Sequence, residues 1–467
     1  MTPPPSQVSA TSVAQAVWSY TLRSLTDIQS LVTAIQNNDP SLLSTLSDIL
    51  YVPAPFFAGQ VSATQVAAFL DNLVLNYGLA GPAAAAISAS PYGLWSTNFV
   101  TQIIPYLGAT TLNLLLSSGQ MDANHAQLIL YWLAQNYYYN KWVYTVTANA
   151  TSSITFSTNT VLNQNVLIAQ NITIASGVTV TCGTRTCFLV AQSFNNYGTV
   201  VAHGAPGGVP PGRAGPGGTG GGGIVVVAVT AVLGTLNVSG SPGGNAAGYT
   251  ASGTGSGGSV GIFYVVSGVT VPLGGTGGLG TNGYIGAAGL NGGGGGAAES
   301  YYYGAPGGNA TAVYLLSSPN TMATYILQGL SDWWITGAVG RSPTYVTPLA
   351  YMYGSGGGAG AEYSGGAGGG GGGGGAGEVA VYGYNIVSGT VNAAGGNGGY
   401  SASNCPTCYA GGGGGGGGGL VFIFYGATSG SVTANVAGGA GGISYIGSNG
   451  ATGANGTAYI AKVTVNG

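Results

Sequence analysis

The sequence predicts an α+β multidomain protein, with a helical N-terminal domain followed by a mainly-β, solenoid- or sandwich-like domain that carries long glycine-rich, polyglycine II-like insertions. Three observations predict it. Apolar residues recur at helical spacing up to about residue 142. Strand-like runs rich in Val, Ile and Thr follow. Short apolar strands then alternate with glycine runs. We divide the chain into 1–142 for anchoring or assembly, 143–203 as the β-rich start of the scaffold, and 204–467 as the glycine-rich repeat, with a Trp- and Tyr-rich insert at about 312–353.

The helical domain is predicted from apolar faces and capping residues. Ser62 and Gln65 form a capping box, and Gly78 ends the helix that they start. Asp122 is the N-cap of a later helix, whose predicted face is Leu128, Tyr131 and Trp132. The other predicted faces are Ile28, Leu31, Val32 and Ile35, then Leu42, Leu43, Leu46, Ile49 and Leu50, then Val66, Phe69, Leu70, Leu73 and Tyr77.

The β-domain is predicted to begin at about Trp142 and to contain no long helix, except within Met322 to Trp334. A Gly-Thr-Val-like step recurs along it, starting at Gly177, Gly198, Gly234, Gly268, Gly389 and Gly430. The shortest interval, from position 177 to position 198, is 21 residues and holds no glycine run. A unit of that length is typical of one coil of a β-solenoid, and hairpins stacked in a sandwich are the alternative.

The glycine runs are therefore interpreted as insertions at one point of the repeat. Two are nearly pure, Gly368 to Gly375 and Gly411 to Gly419. They can be flexible loops, or they can form a bundle of polyglycine II strands with three residues per turn. Since ordering glycine costs more backbone entropy than ordering any other residue, only dense lateral hydrogen bonding could hold such a bundle together.

The four cysteines form two close pairs, Cys182 with Cys187 and Cys405 with Cys408. Two local disulfides are predicted, which suits an extracellular setting. The alternative is a zinc site with four thiolate ligands, because Cys405 and Cys408 form a CxxC motif.

The charge content argues against several classes of function. Charged residues make up 3% of the chain and the net charge is −3, whereas soluble proteins carry about 25% charged residues. With only six Lys and Arg residues the chain is not expected to bind nucleic acid. Membrane insertion is not expected either, because no apolar stretch approaches the ~20 residues of a membrane helix. The N-terminus lacks the basic and apolar regions of a secretory signal, so we expect a mature chain or one released without the secretory pathway.

Enzymatic chemistry is not predicted, and neither is a cofactor, a catalytic residue or a metal site. General acid–base catalysis needs converging carboxylates or a histidine. A glycan-degrading solenoid enzyme of the tailspike kind is the least favoured hypothesis. Its only candidate acids outside the helical domain are Glu299, Asp332, Glu362 and Glu378.

Aromatic clusters are the candidate receptor contacts, since Tyr and Trp make rigid contacts with sugars or proteins. The candidates are Tyr301, Tyr302, Tyr303, Trp333 and Trp334, and a local core is the alternative role for them. Candidate glycosylation positions are Asn149, Asn171, Asn237, Asn309 and Asn455.

Two features resemble viral attachment proteins. The segment AVWSYTLRSLT, from Ala16 to Thr26, resembles a stretch near the N-terminal regions of phage tail and fibre proteins. The strand-plus-glycine repeat over about 176–460 looks like the glycine-rich tips of some phage tail fibres, and the high Tyr and Gly content is similar to that of surface and virus proteins of hyperthermophilic archaea. The resemblance implies a non-enzymatic virion structural protein that forms or tips a fibre for host attachment. It implies identical subunits as partners, a glycan or protein receptor on the host, and a virion-surface or extracellular location. The alternative is a subunit of an archaeal cell-surface filament or adhesin.

Overall fold

The computed structural model describes residues 63–88, 99–164, 166–182, 186–202, 215, 217–246, 265–266, 318–338, 349–350, 367–403, 410–446 and 448–467. The chain divides into two compact units. The helical unit is drawn from Met1–Asn149 and Leu327–Val346, and the strand unit from Ala150–Ile326 and Thr347–Gly467. Short helices thus precede a mostly parallel β-sheet, which confirms the α+β, multidomain part of the prediction.

The described helices before the sheet are short, with 8 to 13 residues each, and a sixth helix of 20 residues lies further along the chain. Their bounds are α1 Ala63–Leu75, α2 Ala80–Ser88, α3 Ala109–Leu116, α4 Ala123–Gln135, α5 Tyr139–Thr147 and α6 Pro319–Ala338. In α1 the predicted apolar face is buried at Val66, Phe69, Leu70 and Leu73. Gly78, which follows α1, has φ +69°, a left-handed conformation that favours glycine. The predictions for residues before 63 lie outside the described residues.

The start of α4 is as predicted, but its buried face is not. Asp122 caps the helix, because its Oδ1 accepts a hydrogen bond from the Asn124 backbone N–H at 2.7 Å. Leu128, however, is 38% exposed. The buried face consists of Ala126, Ile129, Leu130 and Leu133, one position round the helix from the predicted set.

The first predicted strand is a helix. The segment after Trp142 reads as strand because it is rich in Val and Thr, yet α5 continues to Thr147 and β1 begins at Thr151. Tyr139, Trp142, Val143 and Val146 are buried, and their i, i+3, i+4, i+7 spacing is helical. Burial of that face outweighs the β-propensity of the individual residues.

Helix α6 confirms the one helix that was expected beyond Trp142. Its residues from Leu327 onward belong to the helical unit. There the Trp142 indole N–H donates to Ser331 Oγ at 2.9 Å. Gln127 Nε2 and the Tyr131 hydroxyl each donate to the Asp332 carboxylate at 2.8 Å. A segment far along the chain is thus fixed to α4 and α5 by buried polar contacts.

The main sheet runs parallel throughout its named pairings. The strands of the strand unit are β1 Thr151–Phe156, β2 Thr160–Leu162, β3 Val166–Ile174, β4 Thr179–Cys182, β5 Thr186–Asn196, β6 Thr199–Val201, β7 Gly223–Asn237, β8 Val265–Val266, β9 Leu349–Ala350, β10 Ala367–Gly368, β11 Glu378–Asn392, β12 Ala402–Ser403, β13 Leu420–Asn435 and β14 Thr457–Lys462. One series is β1-β3-β5-β7-β11-β13-β14, and a second joins β2, β4 and β6 to the later half of β7. Hairpins would pair antiparallel, so these pairings do not fit the stacked-hairpin alternative.

The register tests the predicted repeat directly. Gly234 faces Gly389, and Thr199 faces Thr235, which confirms those steps. The predicted alignment of Gly430 with Gly389 is wrong, because Gly389 faces Val432. The ladder instead aligns like polar side chains: Thr433 Oγ1 donates to Thr390 Oγ1 at 3.3 Å, and Asn435 Nδ2 donates to Asn392 Oδ1 at 3.2 Å. The predicted interval of 21 residues between Gly177 and Gly198 is one residue too long, because Thr179 faces Thr199, which lies 20 residues later.

The core of the strand unit lies along one face of the stacked strands. It contains alternate residues such as Leu189, Val226, Val381 and Ile423. The residues between them, such as Val227, Tyr382 and Phe424, are buried as well. Central strands of this kind are covered on both faces, which is why their sequences read as unbroken apolar runs.

Candidate functional site: glycine-rich segments beside the parallel strands

Glycine-rich segments flank the long strands on both sides. Leading segments precede β7, β11, β13 and β14 at residues 217–222, 369–377, 410–419 and 448–456. Trailing segments follow β7, β11 and β13 at residues 238–246, 393–401 and 436–443. Since the strands are parallel and stacked, each segment lies beside the same kind of segment from the next strand.

Neighbouring leading segments are joined by backbone hydrogen bonds at every third residue. Gly370 and Gly373 donate to Gly411 and Gly414 at 3.1 and 2.9 Å. The same pattern joins the next pair, since Gly415 donates to Ala451 at 2.9 Å. Trailing segments follow the rule too: the acceptors of Gly395, Gly398 and Ser401 are Ala437, Ala440 and Ile443.

A second set of hydrogen bonds joins leading to trailing segments. Gly371 and Gly374 donate to Gly244 and Ser241 at 3.0 and 2.9 Å. In the next layer the acceptors of Gly413, Gly416 and Gly419 are Gly399, Gly396 and Ala393. In a central leading segment, two of every three residues therefore donate a backbone hydrogen bond. One of them donates to the next leading segment and the other donates to a trailing segment. This density of backbone bonding replaces the side-chain contacts that glycine cannot make.

The close approach of these backbones explains why glycine is required. A Cβ added at Gly416 would meet the carbonyl oxygen of Gly374, and one at Gly374 would meet the carbonyl oxygen of Thr219. The trailing segments carry a side chain at every third position, and that of Asn397 accepts a hydrogen bond from Ala440 N of the next trailing segment at 2.9 Å. Asn397 and Tyr400 occupy such positions and are exposed. The number of glycines in each triplet thus follows the number of sides on which a segment is packed.

One end of the glycine-rich region presents large apolar side chains. Tyr400, Ile443 and Tyr445 are 52%, 58% and 58% exposed. They are neighbours, because Ser401 N donates to the Ile443 carbonyl at 3.1 Å and Tyr445 N donates to Ser401 Oγ at 2.8 Å. We call these three side chains the apolar tip cluster. Single exposed apolar residues are ordinary, but a contiguous exposed group is a candidate contact surface.

The sequence-predicted receptor contacts are distributed differently. Trp333 is 47% exposed, whereas Trp334 is 7% exposed, so Trp333 is the member of that pair that solvent reaches. Both lie on α6, in the helical unit. Tyr301, Tyr302 and Tyr303 lie outside the described residues.

One predicted disulfide is present. Cys182 and Cys187 are bonded, five residues apart in sequence, and connect β4 to β5. Cys405 and Cys408 lie outside the described residues, so their pairing stays a prediction.

The candidate acids do not form a described site. Asp332 is buried in the helical unit and accepts the two hydrogen bonds given above. Glu378 is a buried residue of β11 in the strand unit, while Glu299 and Glu362 lie outside the described residues. Within the part of the chain that the structure describes, no group of three or more His, Cys, Asp or Glu side chains could hold a metal ion.

Among the described residues of the helical unit, Lys141 has a displaced pKa. Burial lowers the pKa of Lys141 from 10.5 to about 8, and the nearby Asp71 carboxylate opposes part of that change. Lys141 Nζ donates to the Pro105 carbonyl at 2.7 Å, and Asp71 accepts from Gly108 N at 3.1 Å. These contacts hold loop backbone, which is a structural role.

Four of the candidate glycosylation asparagines can be placed. Asn149, Asn171 and Asn455 are exposed and Asn237 is half-buried. All four make hydrogen bonds: the acceptors of Asn149 and Asn171 Nδ2 are Asn113 Oδ1 and the Ser152 carbonyl, and Asn237 and Asn455 Oδ1 accept from Ser239 N and Gly438 N. Asn309 lies outside the described residues.

Among the helices that the structure describes, none is long and apolar enough to cross a membrane. No family model, no curated protein and no solved structure matches this chain.

Sequence reasoning missed the apolar tip cluster and the hydrogen-bonded asparagines of the last leading segment. A signal for the cluster was present. In AAGGNGGY and VAGGAGGI the non-glycine residues recur every third position, which is also the spacing of the hydrogen bonds between neighbouring segments.

Proposed function

We propose that this chain is a non-enzymatic structural protein of a virion, which forms or tips a fibre used for host attachment. We further propose that its strands belong to the stacked coils of a β-solenoid. Its glycine-rich segments would then form a polyglycine II bundle beside those coils. The observation that carries the proposal is the hydrogen-bonded array of leading and trailing segments beside an all-parallel strand stack.

Such an array suits a display scaffold. Segments with three residues per turn and hydrogen bonds to several neighbours form a stiff body without a side-chain core. Stiffness without charge is useful on a particle surface, where a protein must project contact residues and resist unfolding. The apolar tip cluster and Trp333 supply contact area of the kind that recognition surfaces use.

The composition supports the same function. Charged residues make up 3% of the chain, which disfavours catalysis by paired acids and bases and binding to nucleic acid. A disulfide between Cys182 and Cys187 is typical of proteins that work in an oxidising environment.

The test is to find the chain in particles. Antibodies against the purified protein would be applied to virus-like particles from a culture of the organism that encodes it, and gold labelling would be viewed by electron microscopy. We expect labelling of a projecting fibre or its end, and we expect the purified protein to reduce particle attachment to host cells. Labelling of cell-surface filaments with unlabelled particles would overturn the virion assignment and favour the cellular adhesin.

A further inference from the structure

The last leading segment, residues 448–456, departs from the composition of the two before it. Glycine occupies only every third position, at Gly450, Gly453 and Gly456. The intervening residues are Asn449, Ala451, Thr452, Ala454 and Asn455. Residues 411–419 are glycine throughout, so the change occurs between adjacent segments of one array.

The three remaining glycines mark the packed side of this segment. Gly450, Gly453 and Gly456 donate to Gly442, Gly439 and Val436 at 2.9, 2.9 and 2.7 Å. A Cβ on any of the three would meet a carbonyl oxygen of the preceding leading segment, at Gly413, Gly416 and Gly419 respectively. No other position of 448–456 is glycine. Close packing against a neighbouring backbone therefore requires glycine on this side of the segment alone.

The register shows what the side-chain-bearing positions replace. Leu420 faces Thr457, so Asn449, Thr452 and Asn455 correspond to Gly412, Gly415 and Gly418. A Cβ on those three glycines would meet the trailing segment of their own strand, at Gly442, Gly439 and Val436. Asn449, Thr452 and Asn455 therefore face the place where a trailing segment after β14 would lie.

A trailing segment at that place would accept hydrogen bonds from the backbone of residues 436–444. By the register of β11 and β13, Gly438 and Ser444 correspond to Gly395 and Ser401, which donate to the next trailing segment. Here Gly438 N donates to Asn455 Oδ1 at 3.0 Å and Ser444 N donates to Asn449 Oδ1 at 2.8 Å. Two side-chain amides thus accept the bonds that a further segment would accept.

We infer that Asn449, Thr452 and Asn455 cap the glycine array and make this end of the strand stack a free tip, closed to addition of a further segment or a second copy of this chain. The inference rests on the proposed polyglycine bundle. It implies that the β14 end lies at the end of a fibre, where no further subunit is added. Lys462 supports it, since this exposed side chain lies at the end of β14, which pairs with β13 alone among the described strands. Lysines on edge strands hinder sheet extension, and terminal repeats of stacked proteins carry polar outer faces.

The first test measures amide hydrogen exchange by NMR in the full-length protein and in an Asn449→Ala/Asn455→Ala variant. We expect exchange at Gly438 and Ser444 to accelerate about five-fold, as loss of one hydrogen bond implies. Gly439 and Gly442, which donate to Gly416 and Gly413, are the internal controls and should keep their rates. Unchanged rates at Gly438 and Ser444 would overturn the cap.

The second test removes the cap's bulk with an Asn449→Gly/Thr452→Gly/Asn455→Gly variant. We expect this variant to gain concentration-dependent self-association in sedimentation velocity, while Ala440→Gly, which adds one glycine at an exposed position elsewhere, leaves the mass distribution of the wild type unchanged. Equal masses for the triple variant and wild type at every concentration would contradict the inference. Failure of the cap is distinct from failure of the bundle, because fast exchange at Gly373 and Gly415 in the wild-type protein reports only on the bundle.

Discussion

The substitution Gly416→Ala probes the glycine array at its centre. Gly416 N donates to Gly396 O at 2.8 Å, and Gly396 N donates to Gly374 O at 2.8 Å. The added methyl group would meet that same Gly374 oxygen. The oxygen belongs to backbone that is bonded on both sides, so the clash cannot be relieved by a rotating side chain.

The expected cost follows from the bonds that must lengthen. Separating the segments disrupts two buried backbone hydrogen bonds, each costing about 1–3 kcal/mol when its groups are left unsatisfied. Alanine recovers about 0.4–1 kcal/mol by restricting the unfolded chain. We therefore expect Gly416→Ala to lower the free energy of unfolding by about 3 kcal/mol.

Guanidinium unfolding of the purified full-length protein measures this change. Gly337→Ala is the matched control, because a Cβ there has open space and the backbone is helical; alanine should be neutral or stabilising by up to about 1 kcal/mol. Ala440→Ser tests an exposed position of a trailing segment and should lie within about 0.5 kcal/mol of wild type. A Gly416→Ala protein that unfolds at the same denaturant concentration as wild type would refute the close-packed description.

Three further predictions concern other parts of the molecule. Ser331→Ala leaves the buried Trp142 indole N–H without its acceptor and should cost about 1–3 kcal/mol in guanidinium unfolding; a change below a few tenths of a kcal/mol would contradict the contact. Reduction or Cys182→Ser opens a loop with a sequence separation of five and should lower the free energy of unfolding by about 2 kcal/mol on the chain-entropy account, with full reversal of the reductant effect on reoxidation. The folded-state pKa of Lys141 is lowered from 10.5 to about 8, so between those pH values the unfolded chain binds more protons than the folded chain. The free energy of unfolding should therefore rise with pH over this range, relative to a Lys141→Met variant. Parallel pH profiles for the two proteins would show that Lys141 is not buried as described.

Local signals predicted much of the architecture. The capping of α4 by Asp122, the apolar face of α1 and the glycine after it are features that neighbouring residues specify. The repeated step allowed either stacked solenoid coils or stacked hairpins, and it is the parallel pairing of the strands that does not fit the hairpins. The long apolar strands are explained by the same stacking, since both their faces are buried.

The remaining features depend on partners that are distant in sequence. The strand predicted after Trp142 is helix α5 because Trp142 and its neighbours along the face are buried. The alignment of Gly389 with Val432 depends on threonine and asparagine ladders across strands, which the glycine motif does not reveal. In the sequence, Asn455 was predicted only as a candidate glycosylation position and Asn449 was assigned no role. Their role is visible only once the structure shows that they accept hydrogen bonds from Gly438 N and Ser444 N.

Amide hydrogen exchange within the glycine runs tests the central claim most directly. The account predicts slow exchange at Gly373 and Gly415, which donate to the next leading segment, and at Gly374 and Gly416, which donate to a trailing segment. Exchange at all four sites should become faster together in Gly416→Ala. Exchange at the rate of an unstructured peptide throughout 369–377 and 411–419 in the wild-type protein would contradict the account, since the runs would then be flexible loops.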